Sequence, residues 1–342
     1  MSVLSPRRRA GIAALVAAAG LALSACSGGA ESGGSATTGP SPVKLSFEWT
    51  CEGNWPIAFL GRDKGFFAEQ NLDVQWTRGQ GGSSTVPLIA ADEQDLGVLS
   101  APAVVLGAGQ GLPVTVVGVA ATTSPVNIYA DPSITSPKQL EGRTVAVQTD
   151  QFEGAVWSAF VTANGIDASK VNVVQSTDAS TVEFLDRGID AIVAFGPTPS
   201  SLELTRRAGG VTVMKAQDTV PTYGHTLVAS NRFLQRDPDA VKRFEQAWAK
   251  ATAYAVAHPD EALAELRTNC TELDADKAKY TLDQYLAAYS AGASQGYLAF
   301  DPQGLDRTKD VLVRAGLMQD TDLSEFSSRD YLPSPAVTGV AS

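Results

Sequence analysis

Cysteine and histidine are scarce in this chain, with three cysteines and two histidines in 342 residues, and no Cys/His cluster has metal-ligand spacing. No structural zinc is expected, and no other metal or cofactor is indicated. Positive charge is also short. The 26 Lys and Arg residues face 37 Asp and Glu, a net of -11, which argues against nucleic acid as a partner and against adhesion to anionic lipid through charge. The apolar run at 10–23 is too short to cross a bilayer, which takes about 20 residues. There is no HExxH, no P-loop lysine and no internal repeat, so zinc-protease chemistry, nucleotide triphosphate binding and a solenoid are not indicated. Gly292-Ala293-Ser294-Gln295-Gly296 formally matches a nucleophile elbow. It follows a helical pattern, not a strand, and no histidine lies beyond it to complete a triad.

The N-terminal segment carries the strongest positive signal. Arg7, Arg8 and Arg9 precede the apolar run, which ends in Leu23-Ser24-Ala25-Cys26. The pattern resembles a bacterial lipoprotein signal over 1–25. It implies cleavage before Cys26 and diacylation of the Cys26 thiol, so membrane attachment rests on lipid. Residues 26–42 are almost entirely Ser, Gly, Ala, Thr and Pro, a flexible leash expected to be disordered. Without the three leader arginines the net charge is -14. About 300 residues remain, enough for one large α/β domain or two lobes. Cys51 and Cys270 are free to pair outside the cytoplasm, but their separation does not show that they meet.

Periodicity predicts strands at 43–49, 72–76, 96–100, 114–120, 144–148, 171–175, 190–195, 211–215 and 225–230. Helix signals lie between them, among them 83–91 after a Gly-rich turn and 152–164 before Gly165. Strands alternating with helices imply parallel sheets covered on both faces. After Ser230 the pattern is helical. Asp237-Pro238 opens a helix whose apolar stripe is Val241, Phe244, Trp248, Ala251 and Ala255, and His258-Pro259 ends it. Further helices are expected at 260–267, 274–289 and 303–315. The block 127–222 reads as an α/β unit inserted into a host formed by 43–126 and 223–320. Two crossing segments would then allow hinge closure on a ligand. The tail, 321–342, is expected to be loosely packed.

Phe47-Glu48-Trp49-Thr50, Asn54-Trp55-Pro56-Ile57-Ala58, Lys64-Gly65-Phe66-Phe67 and Asn71-Leu72-Asp73-Val74 together resemble the opening of a known family. It is that of the solute-binding lipoproteins of ABC importers related to thiamine-pyrimidine, nitrate, taurine and alkanesulfonate binding proteins. Gly79-Gln80-Gly81-Gly82-Ser83, Leu96-Gly97-Val98 and the run from Leu140 to Val147 add to the likeness, which spans about 43–244. The resemblance implies an α/β fold of the two-lobed type II periplasmic binding protein kind, with the ligand cleft between the lobes. Its partners would be a small molecule, an ABC permease with its ATPase, and the membrane through Cys26. The chain would act on the extracytoplasmic face as a monomer, with no catalytic role.

Ligand contacts are expected just after strands. Glu48 and Trp49 close the first strand, and Asn54 and Trp55 lie in the loop after it. An indole stacks on a flat ring and a carboxylate accepts hydrogen bonds from amines, as an aminopyrimidine would require; which tryptophan faces inward is left open. Gly82, Ser83 and Ser84 offer N–H groups and hydroxyls at a helix start, and Ser100 is similarly placed. Gln148, Thr149 and Phe152, then Phe195, would come from the second lobe, with Tyr223 and His225 at the return crossing. The resembling pyrimidine binders carry a glutamate near Phe195, whereas this chain reads Ala194-Phe195-Gly196-Pro197. The expected ligand is a thiamine-precursor-like pyrimidine or a similar nitrogen-rich ring. The alternatives are an alkanesulfonate, taurine or other small anion held at Ser83 and Ser84, and an enzyme of pyrimidine synthesis. Fungal relatives of the last kind carry a cysteine-rich iron motif that is missing here. No Arg or Lys is expected at a strand end where a sulfonate would want one.

Overall fold

The computed structural model describes residues 39–149, 152–176, 188–206 and 209–340. The leader, its lipobox, Cys26 and the leash as far as residue 38 lie outside the described residues. Two five-stranded sheets form the frame. The first contains β1 (Ser41–Phe47), β2 (Leu72–Arg78), β3 (Leu96–Ser100), β4 (Val114–Val119) and β10 (His225–Ser230), in the order β2-β1-β3-β10-β4. The second contains β5 (Val126–Ala130), β6 (Thr144–Val147), β7 (Asn172–Gln175), β8 (Ala191–Phe195) and β9 (Thr212–Lys215), in the order β7-β6-β8-β5-β9.

Neither sheet is wholly parallel, which corrects the expectation from sequence. β1 runs parallel to β2 and β3, and β6 to β7 and β8, but β10 is antiparallel to β3 and β4, and β5 to β8 and β9. The two strands that enter a sheet from the other one, β5 after β4 and β10 after β9, are the ones that run against their neighbours. Strand β5, between Pro125 and Asp131-Pro132, had no counterpart in the sequence reading. β1 starts at Ser41, so the last two residues of the expected leash are paired, Ser41 with Leu72 and Pro42 with Asp73. It ends at Phe47, leaving Glu48 and Trp49 in the bend that follows.

Helices cover the sheets: α1 (Pro56–Asp63), α2 (Phe66–Glu69), α3 (Gly82–Ala90), α4 (Ala101–Gly109), α5 (Phe152–Ala163), α6 (Pro199–Thr205), α7 (Asn231–Arg236), α8 (Pro238–Ala257), α9 (Pro259–Asn269), α10 (Ala275–Ser290) and α11 (Pro302–Arg314). The Asp237 side chain accepts the Ala240 N–H at 2.9 Å and Pro238 fills the first turn, so α8 starts where its cap predicts. Its whole apolar stripe is buried. Trp248 reaches Phe47, with ring centroids 6.2 Å apart, and Phe47 stacks on Trp55 at 4.2 Å. Burial of such side chains contributes about 1.5–3 kcal/mol each.

Cys51 and Cys270 form a disulfide, Cα atoms 5.7 Å apart across 219 residues of sequence. It ties the loop after β1 to the end of α9. The tail is also held, contrary to expectation. Phe326 is buried, its carbonyl accepts the Val116 N–H at 2.8 Å, and Ser328 returns a bond to Val116 at 2.9 Å. A side chain that buries there fixes the segment against β4. Among the described residues no helix is long and apolar enough to cross a membrane.

Candidate functional site

A cavity of 430 Å³ lies between the sheets, at the ends of β1, β3, β6 and β8 and the start of β10. Its floor is organised by Glu48. The carboxylate accepts the Ser100 backbone N–H at 2.6 Å and the Ser100 hydroxyl at 2.8 Å, and the Gly82 N–H as well. Ser100 caps α4 and Gly82 opens α3, so one carboxylate sits at two helix starts, where backbone N–H groups and the helix dipole favour negative charge. Burial pushes the Glu48 carboxyl above its ordinary range, against the lowering pull of these donors.

The Gly-rich turn makes this approach possible. Gly81 has φ 111°, a conformation that disfavours any side chain, and its N–H bonds the Glu48 carbonyl at 2.8 Å. A Cβ on Gly82 would run into Ala103 and the Glu48 carboxylate. Gly82 and Ser83 line the cavity, whereas Ser84 turns its hydroxyl back to the Gly81 carbonyl at 2.9 Å.

His225 starts β10 opposite Ser100, its Nε2 3.8 Å from Glu48 Oε2. Burial lowers its imidazole to about 4, so it is neutral at ordinary pH. Phe195 meets the imidazole edge-on at 6.0 Å, and the Tyr285 ring lies 5.4 Å from it. The Tyr285 hydroxyl donates to Glu52 at 3.1 Å. Burial, then the Glu52 charge, hold that phenol protonated. Asn54, Gln148 and Glu153 complete the polar wall, with the apolar Phe152 beside Glu153 in the lining. The described lining thus contains three carboxylates, Glu48, Glu52 and Glu153, and no Lys or Arg. Arg78 and Lys215 do stand at strand ends, those of β2 and β9, but neither lines the cavity. No group of three or more potential metal ligands occurs among the described residues.

The model of the family described as NMT1/THI5 like matches residues 54–262. The chain belongs to this family. Among NMT1/THI5 like relatives, it is 24% identical to the formylaminopyrimidine-binding protein of Halalkalibacterium halodurans over 235 residues, 67% of this chain and 71% of the relative. It is 25% identical to the 4-amino-5-hydroxymethyl-2-methylpyrimidine phosphate synthase of Candida albicans over 238 residues, 62% of this chain and 68% of the relative. In structure it is similar to the periplasmic aliphatic sulphonate binding protein SsuA of Escherichia coli. The TM-score is 0.67 at 15% identity, over 84% of this chain and 97% of that one. At that identity the likeness establishes the fold, a mixed α/β periplasmic binding protein fold with two sheets.

Of the residues singled out from sequence, Glu48, Trp49, Asn54, Gly82, Ser83, Ser100, Gln148, Phe152, Phe195 and His225 line the cavity. Four others stand elsewhere. Trp55 is 7% exposed and stacked in the core, while Trp49 is 45% exposed at the cavity wall. Ser84 faces its own turn, and the Thr149 N–H bonds the Gln175 side chain at 3.2 Å. Tyr223 is buried with its hydroxyl donating to the Asp301 carbonyl at 2.9 Å, packed on Gly304. Sequence reasoning missed Glu52, Glu153 and Tyr285, and the apolar wall formed by α3, α4 and Leu317. Glu52 lies two residues before Asn54 and Glu153 directly after Phe152, both positions already singled out, which was the signal available. Tyr285 and Leu317 lie beyond the stretch that resembles the family.

Proposed function

We propose that the protein is the extracytoplasmic receptor of an ABC importer, lipid-anchored through Cys26, that captures a small, flat, nitrogen-rich ring of the aminopyrimidine kind. It acts as a monomer, with lobe 127–222 closing on the lobe formed by 43–126 and 223–320, and hands the ligand to a permease and its ATPase. The single observation that carries the ligand class is the position of Glu48. The two helix starts that would attract a foreign anion already hold the protein's own carboxylate. Two further carboxylates and a neutral imidazole surround the same space. A donor-rich ring suits that lining, and a sulfonate would find the two helix starts already taken, with no Lys or Arg among the described lining residues. The formylaminopyrimidine-binding relative supports the same class. The export signal over 1–25 supports a receptor over an enzyme of pyrimidine synthesis.

Native mass spectrometry of freshly purified protein tests the reading. The expected result is a retained nitrogen-containing ring compound that exchanges with added aminopyrimidine. A retained sulfonate or other anion would overturn it.

A further inference from the structure

The cavity is longer than one ring and its two ends differ in chemistry. The acidic end lies at Ser100, before the first turn of α4, and the lining continues along α4 to Gln110. The nine residues of α4 advance about 14 Å. Beyond Ala103 the charged residues of the first sheet's side give way to Val86, Pro87, Leu106, Gly107, Leu112 and Leu317. Leu106, Leu112 and Leu317 are only partly buried, so they present apolar surface to the cavity. Gln110, at the far end, is exposed and marks an opening. Leu317 also lies outside residues 54–262, the part that matches the family, so this wall is partly built by the chain's own C-terminal region.

We infer that the ligand is amphipathic: a nitrogen-bearing ring at the Glu48 end with a hydrocarbon arm or second apolar ring laid along α4 towards Leu112 and Leu317. This rests on the nitrogen-ring reading for the head and adds a second subsite for the arm. A lone six-membered ring fills the acidic end and leaves the apolar wall wet. An attached chain removes that wall from water, at about 0.8 kcal/mol per methylene, which is roughly a fourfold gain in affinity for each. The arm needs no polar partner until it reaches the opening at Gln110.

The test is calorimetric titration of the full chain with 4-aminopyrimidines carrying straight 5-alkyl groups from methyl to hexyl. The expected result is a dissociation constant that falls about fourfold per methylene over the first several members. Leu317→Asn and, separately, Leu106→Asn should flatten the series; the slope in the unaltered chain needs neither variant to fold. If the methyl member binds and the series is flat, the arm subsite is wrong and the ring reading stands. If the slope survives in both folded variants, the chain lies elsewhere and the inference is overturned. If no member binds, the ring reading falls and takes the arm with it.

Discussion

Glu48 Oε2 accepts the backbone N–H of Ser100 at 2.6 Å while Oε1 accepts the same residue's hydroxyl at 2.8 Å. One residue after β1 is thereby fixed to the cap of α4, and through Gly82 to the start of α3. The carboxylate is a strut of the cavity as well as part of its lining.

Removing that strut should exchange one specificity for another. Glu48→Ala exposes the N–H groups of Gly82 and Ser100, so sulfate or ethanesulfonate should gain measurable affinity while an aminopyrimidine loses about tenfold or more. Parallel titrations of the variant and the unaltered chain check this. Unchanged ring affinity with no anion binding would contradict it.

The two tryptophans of the first loop should separate binding from stability. Trp49→Ala removes an exposed indole at the cavity wall and should weaken ring binding by roughly tenfold with little change in stability. Trp55→Ala removes the ring stacked on Phe47 and should cost about 3–5 kcal/mol in denaturant unfolding, with the folded fraction binding normally.

Glu245 on α8 is fully buried, and neither carboxylate oxygen has a hydrogen-bond partner among the described residues. Burial raises its carboxyl well above the ordinary value of 4.5. A raised pKa in the folded state means that the folded chain holds the proton when the unfolded chain has lost it. Its contribution to stability is therefore full below the ordinary value of 4.5 and is lost as pH rises through the folded value. Glu245→Met should raise stability at neutral pH by about 1–3 kcal/mol, with the gain shrinking as pH falls towards 4. Urea unfolding at several pH values reads this directly.

The Cys51–Cys270 bond ties the loop carrying Glu48 through Trp55 to the helical C-terminal region. Replacing both cysteines with serine should lower stability by about 2–5 kcal/mol. Ring affinity should fall too, because Thr50, Glu52 and Asn54 of the same loop line the cavity. Equal affinity in both forms would show that the loop holds its shape without the bond.

What was legible in the sequence was local. The Asp237-Pro238 cap and the α8 stripe follow from residues a few positions apart, and the structure keeps both. The Gly79 to Gly82 turn could be read as a helix start with free N–H groups. That Glu48 would occupy it, and bond Ser100 at the end of β3 as well, depends on contacts between segments far apart in the chain, the second across 52 residues. Strand β5 was missed because five residues between proline-containing turns give too little alternation to register. Trp49, closing the first strand, and Trp55, in the loop after it, could not be told apart from sequence as the inward-facing ring. The stacking on Phe47 that buries Trp55 is tertiary. Tyr285 comes from α10 and Leu317 from the bend after α11, and neither has a pattern of its own to mark it as a cavity wall.

The central claim is that this cavity selects a nitrogen-rich ring over an anion. Competitive calorimetric titration of ligand-stripped protein with an aminopyrimidine and with ethanesulfonate, at matched ionic strength, tests it most directly. Binding of the pyrimidine with no measurable binding of the sulfonate is the predicted result. Tighter binding of the sulfonate would contradict the account.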